Sequence, residues 1–101
     1  MQYLEVTQKE IDNAIRHLST DCPIALAAKN IFTDAEYIHY YRPDNGLRWR
    51  LGVINSTSGL EEKYIVMGGG RYAVRFDRSG REAISPRKFK LVEVKENNNE
   101  Y

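Results

Sequence analysis

Pro23 is the residue that most constrains how this chain can fold. Proline lacks a backbone N–H and has a fixed φ, so it suits the first turn of a helix and disrupts any later one. The string Asp21-Cys22-Pro23-Ile24-Ala25-Leu26-Ala27-Ala28 therefore starts a helix, and any helix before it must end first. Thr20, Asp21 and Cys22 all stand where a cap belongs, and the sequence leaves the choice open. Ile24, Ala27, Ala28 and Ile31 recur at helical spacing with Leu26 beside them. The small alanines allow the first helix or a sheet to approach closely.

An earlier helix is marked by Thr7-Gln8-Lys9-Glu10, a capping box in which the Thr7 hydroxyl serves a free N–H and Glu10 reaches back. Val6 and Ile11 flank it at the staple positions. Ile11, Ala14, Ile15 and Leu18 then form an apolar stripe that stops at Ser19-Thr20. From Asp34 the period changes to two. Tyr37-Ile38-His39-Tyr40-Tyr41 reads as a strand, Pro43-Asp44-Asn45-Gly46 as a turn, and Leu47 to Val53 as a half-buried strand with Arg48 and Arg50 outward. Tyr64-Ile65-Val66-Met67 is a short strand ended by Gly68-Gly69-Gly70. Tyr72, Val74 and Phe76 alternate with Arg71, Ala73 and Arg75, which predicts another strand. Asp77-Arg78-Ser79-Gly80 reads as a hairpin turn with Gly80 at positive φ. Ala83-Ile84 and Phe89 to Val94 complete the strands.

The expected fold is α+β: two N-terminal helices packed on an antiparallel sheet of four to six short strands. The 101 residues suffice for one core, so residues 1–94 are read as a single domain and 95–101 as a flexible polar tail. No segment is apolar enough to span a membrane, and the N-terminus has no signal-peptide pattern. A single cysteine, Cys22, cannot form an internal disulfide, which favours a cytoplasmic setting. The net charge of +1 conceals a polarity. Residues 1–41 carry three basic and six acidic side chains, whereas residues 42–94 carry eleven basic and six acidic. Such a split steers an anionic partner to one end, though it is far weaker than the charge of a dedicated nucleic-acid binder.

Few residues carry reactive chemistry. His17, His39 and Cys22 lack paired ligand spacing, so no metal is expected. Cys22 at a helix start gains thiolate character from the dipole, but its apolar neighbours and lack of a partner histidine read as packing. No carboxylate pair is placed for acid–base work, so no enzymatic activity and no cofactor are expected. Glycine loops that cradle phosphate feed a helix, whereas Gly68-Gly69-Gly70 leads into a strand-like alternation and reads as a hairpin connection. Its glycines still let a ligand approach the backbone beside Arg71 and Tyr72.

Arginine interleaved with aromatic residues is the best functional signal. Arg48 and Arg50 share one expected strand face, and Arg71 and Arg75 share another, among Tyr40, Tyr41, Trp49, Tyr64 and Tyr72. Guanidinium groups grip phosphate, and aromatic faces stack on bases. The competing reading is a solvated sheet face with Trp49 buried opposite Arg48 and Arg50. Arg78, Arg81, Arg87, Lys88 and Lys90 read as turn and edge charges.

The amphipathic first helix, the Asp21-Cys22-Pro23-Ile24-Ala25-Leu26-Ala27 start, and the run Phe76-Asp77…Gly80…Ile84…Pro86…Phe89…Leu91 resemble a loose group of small phage and prophage accessory proteins. The resemblance spans most of residues 7–92 and rests on fold-defining positions. It implies a phage-encoded protein that counters host defence by binding. The expected function is sequestration of an anionic, nucleotide-like signal, with Arg48, Arg50, Arg71 and Arg75 on phosphates and Tyr72 or a nearby tyrosine on a base. Sponges of this type are commonly homo-oligomers with sites between subunits. The alternative is inhibition of a host nuclease or polymerase by docking on an acidic protein surface. Direct nucleic-acid binding ranks third.

Overall fold

Most of the segments read as strands form one antiparallel sheet. In the computed structural model, which describes residues 2–43 and 48–95, its strands are β1 (Gln2–Val6), β2 (Ala35–Tyr41), β3 (Arg50–Asn55), β4 (Glu61–Val66) and β5 (Arg87–Val94). They lie in the order β1-β5-β4-β3-β2, with every pair antiparallel. The helices are α1 (Gln8–Asn13), α2 (Pro23–Ile31) and α3 (Gly69–Ser79), followed by a single 3-10 turn over Arg81–Ala83. The α+β architecture of two N-terminal helices on a sheet is present, with a third helix added. The expected turn at Pro43–Gly46 and the tail beyond Lys95 fall largely outside the described residues.

α2 sits in the hollow of the sheet. It touches both edge strands, β1 and β2, so the sheet must curl around it. Its alanines make this contact close: Ala25, Ala27 and Ala28 are essentially inaccessible beside Ile24. Leu4, Val6, Ile38, Tyr40, Leu51, Val53, Val66, Phe89 and Leu91 supply the sheet's side of the core. Cys22 is the cap that the sequence left unresolved. Its Sγ accepts the Ala25 N–H at 3.4 Å.

The capping box of α1 is formed. The Thr7 N–H and hydroxyl both donate to Glu10 Oε1 at 2.7 Å, and Asn30 Nδ2 donates to Oε2 at 3.2 Å. Burial opposes the Glu10 charge. The bonds from the Thr7 hydroxyl, the Thr7 amide and Asn30 outweigh it and hold the carboxyl below its ordinary range. One carboxylate thus closes α1 and ties it to α2.

Four sequence expectations are corrected. First, α1 stops at Asn13 rather than near residue 18, and Ile15 and Leu18 are exposed. The Asn13 side chain bonds the Lys9 carbonyl, a local competitor of helix propagation. The chain beyond is held instead by long-range bonds: Ile15 N–H to the Asp21 carbonyl, and Arg16 to the carbonyls of Asp77 and Arg78 at 2.7–3.0 Å.

Second, residues 69–79 form a helix, not a strand. Tyr72, Ala73 and Phe76 are its buried residues, a spacing of one and then three, which is helical. The apparent alternation came from counting Val74 as core and Ala73 as surface. Third, Gly80 has the expected positive φ of 85°, but as the residue that ends α3, its N–H donating to the Phe76 carbonyl at 2.8 Å. Fourth, residues 81–83 form a 3-10 turn and Ile84 follows as extended chain, so Ala83-Ile84 is not a sheet strand. The sheet also gains β1, where Leu4 and Val6 alternate with Tyr3 and Glu5 and pair with β5.

Candidate anion-binding site

The change of residues 69–79 from strand to helix places Gly68-Gly69-Gly70 at a helix N-terminus, the context that phosphate-binding glycine loops require. Gly68 is the cap, at φ 83° and ψ −2°, a left-handed conformation that glycine adopts without penalty. Gly68 has no side chain to cap this end, and no capping bond from another described side chain is present. The first intrahelical bond runs from the Tyr72 N–H to the Gly68 carbonyl at 3.4 Å, so the amides of Gly69, Gly70 and Arg71 precede the ladder. A left-handed residue followed by helical ones turns successive N–H groups toward one concavity, and the helix dipole adds positive potential there.

The glycines are also required sterically. A Cβ on Gly69 would lie 2.7 Å from Tyr40 Oη and 2.8 Å from Val66 Cγ1. One on Gly70 would lie 2.6 Å from Trp49 Cδ1. The helix start is thus laid directly on the Tyr40–Trp49 pair, whose rings stack at 5.1 Å and 29°. Above them opens a recess of about 180 Å³, bounded by Gly68, Gly70, Arg48 and Trp49, with Tyr40, Ile65 and Val66 beneath.

Tyr40 is the unusual residue. It is 2% exposed, and its hydroxyl has no hydrogen-bond partner among the described residues. Buried hydroxyls are normally paired, because leaving one unsatisfied costs about 1–3 kcal/mol. Burial pushes its pKa well above the usual phenol range, Cys22 adds to that rise, and the Arg48 charge pulls partly back. The hydroxyl therefore stays protonated and is a donor in search of an acceptor.

Two guanidiniums flank the helix start. Arg48 Nη2 reaches the Met67 sulfur at 3.6 Å, a weak acceptor. Arg87 Nη2 would lie 3.2 Å from a Cβ on Gly68, and its Cζ sits 5.0 Å above the Phe89 ring. Among the described residues neither forms an ion pair with a carboxylate. The leading amides of α3, the two guanidiniums and the Tyr40 phenol are all hydrogen-bond donors set around the same helix start.

The residues nominated from sequence are divided by the fold. Arg48 is at the recess, and Arg71 is the third residue of α3, contributing its amide while its side chain is exposed. Arg75 lies a turn further along α3, on the exposed side. Arg50 stands opposite Tyr41 in the sheet and donates to the Arg48 carbonyl at 2.7 Å, which braces the chain that leads into β3. Tyr72 is a core residue. Its ring meets Phe89 edge-on at 5.0 Å, and its hydroxyl donates to the Ser85 carbonyl at 2.6 Å, so both its ring and its hydroxyl are engaged within the protein. Burial raises the Tyr72 phenol to about 12, and Arg87 opposes that rise. Tyr40 stood among the aromatics of the sequence signal without a role of its own, and Arg87 was read as an edge charge; a helical reading of residues 69–79 was the missing step.

Other reactive groups are occupied. Cys22 is buried, its thiol raised to about 11 by desolvation against opposing backbone hydrogen bonds. His39 Nε2 meets Glu61 Oε2 at 3.0 Å. Among the described residues no three His, Cys, Asp or Glu side chains form a metal-sized group. Among the described residues no helix is long and apolar enough to cross a membrane. Comparison with protein-family models, curated proteins and solved structures finds no match.

Proposed function

We propose that this protein is a non-catalytic binding protein that sequesters a phosphate-bearing small molecule at the start of α3. The observation that carries the reading is the Tyr40 hydroxyl, buried without a partner beneath an uncapped glycine helix start flanked by Arg48 and Arg87. A bound phosphate supplies acceptors to the three leading amides, to both guanidiniums and to that hydroxyl. All of these groups bind an oxyanion, and they form no nucleophile–base pair of the kind that acyl or phosphoryl transfer uses. In the phage setting implied by the sequence resemblance, the role is removal of a host signalling molecule from solution.

Isothermal titration against a panel of phosphorylated metabolites, followed by analysis of ligand released on denaturation, tests this. A ligand binds saturably, raises the melting midpoint by mass action and is recovered intact. Arg48→Ala and Arg87→Ala each weaken binding about tenfold or more, as loss of a charge-assisted bond does, whereas Arg75→Ala leaves it unchanged. Equal affinity in all three variants, or no binding by any phosphorylated compound, overturns the reading. Chemical alteration of the recovered ligand replaces it with an enzymatic one.

A further inference from the structure

A second recess, of about 270 Å³, opens on the other side of the Tyr40–Trp49 pair. These two residues line both recesses, so the two lie next to one another across a shared aromatic pair. Its lining is of a different kind. Trp49, Leu18, Cys22 and Ala73 contribute apolar lining, and Asp77, His17, Arg42 and Ser19 contribute polar groups. An aromatic plane beside apolar side chains, with a few polar groups among them, suits a flat heterocycle.

The segment bordering this recess is held in an uncommon conformation. His17 has φ 67°, the one non-glycine residue with positive φ among those described. A non-glycine residue is uncommon in that region, although histidine enters it more readily than most, and it persists where its surroundings fix it. Here the surroundings are specific. The His17 N–H donates to Asp77 Oδ1 at 3.0 Å, and Arg16 makes three bonds to the carbonyls of Asp77 and Arg78 at the end of α3. This clamp holds the Leu18 side chain, 46% exposed, at the recess rather than in the core its position in the apolar stripe implies.

We infer that the two recesses form one site for a nucleoside monophosphate: the phosphate at the start of α3 and the base in the recess between Trp49, Leu18 and Asp77. This rests on the phosphate reading above and adds the substrate class. The Asp77 carboxylate selects a base edge that presents N–H donors, as guanine does through its ring N–H and exocyclic amine. The apolar lining excludes a bare sugar phosphate from the same gain.

The test compares ribose 5-phosphate, GMP and AMP on the intact protein by titration calorimetry. GMP binds on the order of tenfold or more tightly than ribose 5-phosphate, the gain a stacked base provides. Leu18→Asp removes that gain and leaves ribose 5-phosphate affinity unchanged. Leu18 is exposed, so this variant keeps the fold even where Trp49→Ala, which strips the packing under α3, does not. Binding of ribose 5-phosphate with no gain from either nucleotide, or a gain that Leu18→Asp leaves intact, overturns the base assignment while the phosphate reading stands. Failure of all three compounds to bind overturns the assignment together with its phosphate premise.

Discussion

Tyr40→Phe deletes one oxygen, and the effect should have opposite signs in the free and bound protein. In the free protein the hydroxyl is buried with no partner, while in the unfolded chain it is hydrated. Removing it abolishes a desolvation penalty of about 1–3 kcal/mol, and the ring keeps its packing against Trp49. At the low end, about 1 kcal/mol, the 101-residue chain has an unfolding entropy near 0.2 kcal/mol/K, so the midpoint rises by about 5 °C. With a phosphate ligand present the same oxygen donates a hydrogen bond, and its loss weakens binding about tenfold. The assay is thermal unfolding followed by circular dichroism, with and without ligand, alongside a titration of each protein. A variant less stable than the parent in the free state refutes the reasoning, because it shows that the hydroxyl is already satisfied. So does a variant that binds ligand as well as the parent.

Other consequences follow from the same contacts. Gly70→Ala, which in an open helix gains about 1 kcal/mol, should instead lower the midpoint and change Trp49 fluorescence, because the new methyl lies 2.6 Å from the indole; a stabilised variant with unchanged emission contradicts the close approach. The Glu10 carboxyl titrates below its ordinary value of 4.5, so its contribution is full above about that pH and is lost as pH falls through the lower folded value. The stability gap between the parent and Glu10→Gln should therefore narrow below pH 4.5, and a gap independent of pH contradicts the capping-box account. Cys22, 5% exposed with its thiol raised to about 11, should react with a thiol reagent at pH 8 only as the protein opens. Labelling as fast as that of a free thiol contradicts its burial.

The sequence made the scaffold readable where local chemistry and tertiary packing agree. Pro23 and the Thr7–Glu10 box set both N-terminal helix starts because capping is decided within four residues. β5 was readable because Phe89 and Leu91 alternate against charged neighbours. α1 was over-extended because the bonds that replace its last turns come from Asp77 and Arg78, some sixty residues away. α3 was misread because Tyr72, Val74 and Phe76 satisfy a two-residue period by coincidence, and only the packing of Ala73 separates the two periods. That one error concealed the helix start at Gly68–Gly70. Arg48, named from sequence, borders the recess, whereas the place of Arg87 beside Gly68 becomes apparent only once the glycines are known to open a helix. Arg50 and Tyr72 lose their proposed ligand contacts to a strand brace and a core hydrogen bond.

The most direct test of the central claim, an anion held by the start of α3, is an amide-resolved NMR titration with GMP. The account predicts that the Gly69, Gly70 and Arg71 N–H signals and the Trp49 indole N–H shift together along one saturable isotherm, with signals of the outer sheet face, such as Val92, unmoved. Saturable binding that leaves those three amides in place and moves the outer face contradicts it.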